Sequence, residues 1–198
     1  MKIVLASTNS GKLAEIQTLL APLGHELILQ SSLGIPEAEE TGLTFVENAI
    51  LKARHAAHHA QLPAIADDSG LCVAHLKGAP GIYSARYAGP FANSNDRNQK
   101  LLSALANVPI EKRQAEFYCA AVFMQSADDP TPLIGLGAWP GTILTAPQGE
   151  AGFGYDPIFY VPTHRCSAAE LEPHLKNQIS HRGLAFAELI KLFPEIKT

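Results

Sequence analysis

The chain is predicted to be an α/β protein in which an elongated mixed β-sheet carries flanking helices. Three observations support that class. Apolar runs of strand length stand at both ends of the chain, segments with helical spacing lie between them, and Gly, Pro and Asn punctuate the joins. The 198 residues, 46% hydrophobic and 17% charged, suit a single domain over 1–198, in one or two lobes, with a sizeable core.

Ile3-Val4-Leu5-Ala6 is the first expected strand. It opens into Ser7-Thr8-Asn9-Ser10-Gly11-Lys12, all small or polar, after which Leu13, Ile16, Leu19, Leu20 and Leu23 recur at helical spacing until Gly24. Strand, small-polar loop and helix in that order bring backbone N–H groups and a helix N-terminus to a phosphate. The loop is not a Walker A motif, because Ala6 stands where that motif needs Gly and Leu13 where it needs Ser or Thr. Leu27-Ile28-Leu29 gives a second strand, followed by an acidic loop from Ser31 to Gly42 bearing Glu37, Glu39 and Glu40. Which of these turns inward is left open by the sequence. Thr44-Phe45-Val46-Glu47 is a capping box that starts a helix to about Ala60. Asn48 and Lys52, four apart, share one face of it. His55, His58 and His59 have a spacing a transition metal could use, yet no carboxylate or Cys completes the set, so an exposed His-rich face is expected.

Ala64-Ile65-Ala66-Asp67-Asp68-Ser69-Gly70 reads as a short buried strand that ends in two adjacent carboxylates at a Ser-Gly turn, with Cys72-Val73-Ala74 resuming the strand. Two Asp in such a place cost desolvation free energy unless a cation or hydrogen-bond donors meet them. Mg2+ is a natural partner for carboxylate oxygens. A turn-capping Asp beside a solvated one is the alternative. The segment Gly78 to Gly89 is a long loop with Tyr83, Arg86 and Tyr87, and Asn95 to Leu105 is helical. Ala115 to Met124 and Leu133 to Trp139 form a hairpin pair across Asp128-Asp129-Pro130, ended by Trp139-Pro140-Gly141. Gly152-Phe153-Gly154-Tyr155-Asp156-Pro157 permits close backbone approach to a flat ligand on which the ring could stack. Ser167 to Glu170 is a second capping box. Ser180-His181-Arg182-Gly183 places donors ahead of a last amphipathic helix through Leu184 and Phe193.

A net charge of −4 and a pI near 6.0, with both signs dispersed, exclude the basic stripe of a nucleic-acid binder. Cys72, Cys119 and Cys166 have no paired spacing, which suggests a reducing compartment. No apolar run reaches membrane-spanning length, so a cytoplasmic protein without membrane partners is expected.

In combination these blocks are more specific than any one of them. Ser7 to Lys12, Glu39 to Ala49, Ala66 to Gly70, Gly78 to Tyr87, Phe153 to Phe159 and Ser180 to Gly183 resemble, in order, the inosine triphosphatase-like purine nucleoside triphosphate pyrophosphatases. The resemblance spans nearly the whole chain. It implies two lobes around a nucleotide cleft, a homodimer and dependence on Mg2+. The implied reaction is hydrolysis of inosine, xanthosine and deoxyinosine triphosphates to the monophosphate and pyrophosphate, which cleanses the nucleotide pool. Asp68 is implied as catalytic carboxylate and metal ligand, and Glu39 as the second metal position. Ser7, Thr8, Asn9, Ser10, Gly11 and Lys12 are implied as the phosphate loop, with Lys52 adding charge. Ser69, Phe153, Gly154, Tyr155, Asp156, Lys176, His181 and Arg182 are implied to contact the nucleotide. Donors from Lys176, His181 or Arg182 would favour a 6-oxygen on the purine and oppose adenine's amino group. Two other readings are a pyrophosphatase for modified pyrimidine nucleotides and a non-enzymatic nucleotide sensor.

Overall fold

Ile3, Val4 and Leu5 are all fully buried, as a strand covered on both faces requires, and they form the body of β1 (Lys2–Leu5). The computed structural model describes residues 1–8, 10–20 and 24–193, and the side chains of residues 10, 11, 14 and 15 are not among the described parts. β1 pairs in parallel with β2 (Glu26–Leu29) on one side and with β3 (Ala64–Val73) on the other. The sheet continues through β4 (Gln114–Met124), β5 (Leu133–Ile143), β6 (Phe159–Val161) and β7 (Cys166–Ser167), giving the order β2-β1-β3-β4-β5-β6-β7. The pairs β5–β6 and β6–β7 are antiparallel, so the sheet is mixed as the sequence predicts. Chain order reverses around β1, with β2 on one flank and β3 on the other. In open α/β sheets, ligands bind outside the carboxyl ends of the strands at such a switch.

Helices α1 (Ser10–Leu20) and α2 (Phe45–Ala60) connect these parallel strands. Thr44 caps α2 by accepting the Glu47 N–H, as its capping-box spacing requires. Further along come α3 (Ser94–Ala104), α4 (Pro173–Ile179) and α5 (His181–Leu192). The chain divides into two compact units. The first comprises Met1–Asp68, Cys119–Gly137 and His181–Thr198, and the second Ser69–Tyr118 and Ala138–Ser180. The first unit's core joins Ile3, Leu5 and Ile65 to Ile16 and Leu20 of α1 and to Phe186 and Leu189 of α5. The second gathers Phe117, Trp139, Ile143, Ile158 and Phe159 with Leu101 of α3.

Several elements differ from expectation. β3 does not stop at Ser69-Gly70 but runs unbroken from Ala64 to Val73, because its two carboxylates are met by partners inside the protein and need no surface. β5 passes through Pro140 to Ile143. β6 pairs only with Thr142 and Ile143, so the missing N–H of the exposed Pro140 interrupts no bond to β6. The Gly78 to Gly89 segment holds a 3-10 turn at Gly81–Arg86, and the capping box at Ser167 to Glu170, expected to open a short helix, opens a 3-10 turn at Ala168–Glu170 that α4 follows. The expected helix position of Leu23 lies outside the described residues.

α5 lies against β5 so closely that only glycine fits beneath it. A Cβ on Gly135 would fall on the Ala185 carbonyl oxygen, and one on Gly137 on the His181 carbonyl oxygen. Gly137 therefore seats the first turn of α5, which carries His181 and Arg182. We expect Gly137→Ala to destabilise the fold by about 1–3 kcal/mol through overpacking, read as a lowered thermal midpoint. A wild-type midpoint would show that α5 can shift without cost.

Candidate active site

Asp67 and Asp68 are neighbours on a strand, and successive strand residues point to opposite faces. That alternation gives the two carboxylates different surroundings. Asp67 is 2% exposed and faces α1 and α5, where Lys12 Nζ donates to both of its oxygens at 2.8 and 2.9 Å and Arg182 Nε reaches Oδ2 at 3.3 Å. Asp68 faces α2, where Lys52 Nζ donates to Oδ1 at 2.8 Å and Asn48 Nδ2 approaches Oδ2 at 3.4 Å. Lys52 also reaches Glu40 Oε1 at 3.1 Å, so one ammonium joins two carboxylates. Asn48 is fully buried, and its Oδ1 accepts the Gly42 N–H at 2.8 Å, which fixes the amide's orientation.

The electrostatics follow the partners. Burial opposes ionisation of Asp67, but Lys12, Arg182 and Lys52 outweigh it and hold its carboxyl far below the usual range. For Asp68 burial wins over Lys52, with Glu40 and Asp67 adding repulsion, and its carboxyl is raised. Lys52 is raised in turn, because Asp68, Asp67 and Glu40 overcome the cost of its burial. One carboxyl is thus held low by its cationic partners, and its neighbour is raised by burial.

The phosphate-loop residues stand at the end of β1. The Ser7 N–H is turned back to Leu5 O at 2.8 Å, and Thr8 is exposed with its hydroxyl donating to Glu37 Oε1 at 2.8 Å. Asn9 lies outside the described residues. Ser10 and Gly11 begin α1, so the helix N-terminus and Lys12 meet at this point, a combination suited to phosphate. Glu39 is exposed and lines a shallow pocket of about 390 Å³ with Arg54, His55, His58 and Asp128. It is Glu40, next in the chain, that meets Lys52 beside Asp68. His181 and Arg182 are buried within the first turn of α5 rather than ahead of it, and the Nε of Arg182 is committed to Asp67.

In the second unit, Phe153 is 60% exposed, with the Lys176 ammonium 4.8 Å from its ring centre. Gly152 and Gly154 both take positive φ on either side of it. Tyr155 and Asp156 do not face outward. The Tyr155 hydroxyl donates to Ser84 O at 2.9 Å, and burial pushes its pKa up. Asp156 accepts the Phe153 N–H at 2.7 Å and binds Lys176. These two residues shape the loop that presents Phe153. Ser69 is half-buried in β3.

The donor set fits a hard divalent ion. Asp68 and Glu40 supply oxygens that already share one cation, and Mg2+ prefers such oxygens completed by phosphates and water. Lys12, Lys52 and Arg182 are each paired with a carboxylate among Asp67, Asp68 and Glu40, and an added cation would favour an incoming polyphosphate. Among the described residues no group of three His, Cys, Asp or Glu could hold a metal, so the ion would depend on substrate oxygens as well.

Comparison with known proteins gives a consistent family. The Ham1 family profile matches residues 3–192. The chain is 56% identical over 197 residues to the dITP/XTP pyrophosphatase of Vibrio cholerae, covering 100% of this chain and 98% of that one. It is 55% identical over 189 residues to the Escherichia coli K12 protein of the same name, covering 96% of each. The structure of a Ham1 protein from Coxiella burnetii superposes with a TM-score of 0.92 at 54% identity, covering 97% of this chain and 98% of that one.

Removing the Asp67 charge would leave Lys12 and Arg182 without their shared counter-ion. We expect Asp67→Asn to cost about 3 kcal/mol at neutral pH, measured by denaturant unfolding. Because the carboxyl is depressed in the fold, wild type should keep this advantage above pH ~4 and lose it progressively below. A neutral substitution would mean that the two cations are satisfied elsewhere.

Proposed function

The chain belongs to the Ham1 family, and from that premise we propose that it is a Mg2+-dependent pyrophosphatase of non-standard purine nucleoside triphosphates, dITP and XTP among them. The observation that carries the reading is the division between Asp67, locked to Lys12 and Arg182, and Asp68, raised and facing Lys52. Strand alternation and two separate sets of partners leave Asp68, beside Lys52 and Asn48, as the carboxylate placed to accept a proton from water.

In this reading a water oxygen attacks the α-phosphorus, the bond from that phosphorus to the oxygen bridging to the β-phosphorus breaks, and pyrophosphate leaves. Asp68 takes the proton of the attacking water, and Asn48 and Lys52 hold its carboxylate in place. Lys12 and the N–H groups at the start of α1 receive the outer phosphates, with Asp67 fixing the position of Lys12. Arg182 shares that anchor. Asp68 and Glu40 would hold the Mg2+, which when bound neutralises phosphate charge and orients water. Glu39, the metal position implied by resemblance, is one residue away and exposed.

Base recognition is assigned to the second unit's loop, where Phe153 offers an exposed ring and Lys176 offers N–H donors held by Asp156. A 6-oxygen accepts from such donors, and adenine's 6-amino group does not. We assign a homodimer as the working form, in keeping with the family resemblance and with the exposed Tyr83 and Phe91 of the second unit. Among the described residues no helix is long and apolar enough to cross a membrane, and the cytoplasm, where nucleotide pools lie, is the assigned location.

Two measurements test this. With dITP or XTP and Mg2+, pyrophosphate and monophosphate should accumulate together, and chelation should stop the reaction. Orthophosphate as the first product would refute the cleavage site. Asp68→Asn should lower kcat about 1,000-fold with KM nearly unchanged. Retained turnover would remove Asp68 from the chemistry.

A further inference from the structure

The acidic loop from Ile35 to Leu43 contains neither helix nor strand, so no ladder of backbone bonds fixes it. At its start Ile35 is buried, and its N–H reaches Gln30 O at 3.1 Å. At its end the Gly42 and Leu43 N–H groups donate to Asn48 Oδ1 and Glu47 Oε2, each at 2.8 Å. Glu40 hangs between these ends, and its carboxylate must stand at Lys52 for the proposed reaction.

Two side chains grip the entry half of this loop from different elements. His55, in the third turn of α2, places Nε2 2.9 Å from Pro36 O. A carbonyl oxygen can only accept, so the proton sits on Nε2. Thr8, which follows β1, donates its hydroxyl to Glu37 Oε1 at 2.8 Å. The loop is therefore tied to the phosphate loop on one side and to α2 on the other. α2 also carries Asn48 and Lys52. The His-rich face thus gains a use that requires no metal.

We propose that His55 and Thr8 are positioning residues that clamp the acidic loop and so set where Glu40 meets Lys52. The inference rests on the reading of Glu40 as a group of the reaction site. Both contacts are hydrogen bonds on a segment without a backbone ladder, so losing either should raise local opening without unfolding the core.

The test compares wild type with His55→Ala and Thr8→Val by amide hydrogen exchange of residues 35–43, and by turnover of dITP with Mg2+. Each variant should speed loop exchange about fivefold, the worth of one net hydrogen bond. Each should lower kcat about tenfold with KM within about twofold. His55→Gln, whose amide can donate to Pro36 O, and Thr8→Ser should restore both readouts, and exchange in β4 should stay at the wild-type rate throughout. Unchanged loop exchange in both variants would overturn the inference, as would faster exchange with full kcat. Faster exchange in β4 as well, without rescue by Gln or Ser, would make the residues merely structural and overturn it too. A wild type inert toward dITP would refute the proposed function instead, and loop exchange would still decide whether the clamp exists.

Discussion

The structure depends on a carboxylate that has been taken almost wholly out of water. Asp67 stands inside β3, just past the residues that pair with β1, where an isolated charge would cost several kcal/mol. Lys12 from the first turn of α1 and Arg182 from the first turn of α5 converge on it. This pins both helix starts to one point of the sheet. Ser7 and Thr8 lie just ahead of α1, so their place is set by the same contact. Asp68, one residue on, is turned by the strand's alternation to the other face and meets α2 instead. Twin residues thereby serve different faces: Asp67 holds the starts of α1 and α5, and Asp68 stands by Lys52 and Asn48 of α2.

That arrangement ties specificity of structure to chemistry. The glycines of β5 let α5 approach closely enough to bring Arg182 to Asp67, and Asn48 links the start of α2 to both the acidic loop and Asp68. In the second unit the work is done by anchors rather than presenters. Tyr155 and Asp156 are spent on Ser84, Phe153 N–H and Lys176, which leaves the Phe153 ring at the surface. Both units follow one rule. Buried polar groups fix the backbone and the side chains beside it.

Much of this was legible in the sequence where the signal is local. β1, β2 and the cap of α2 follow from runs and spacings within a few residues, and the shared face of Asn48 and Lys52 from helical period alone. The site residues of the loops carry short motifs, and the structure places Lys12 and Arg182 at Asp67, Lys52 at Asp68 and Lys176 at Phe153. The continuity of β3 was hidden because its charges are offset by Lys12 and Arg182, 55 and 115 residues away in the chain. No window of sequence contains that compensation. Glu39 and Glu40 could not be told apart either, since an irregular loop has no period to say which side chain turns inward. Tyr155 and Asp156 carry a motif that suggests contact with a ligand, and the motif gives no sign of the bonds by which they also brace the loop.

The central claim is that the two adjacent carboxylates have different jobs. A crystal of the protein with Mn2+ and a non-hydrolysable XTP analogue would test it most directly, because anomalous scattering locates the ion without reference to activity. The expected result is an ion bonded to Asp68 and Glu40, with Asp67 still held by Lys12 and Arg182. An ion bonded to Asp67, or one bound with Asp68 left on Lys52 alone, would contradict the account.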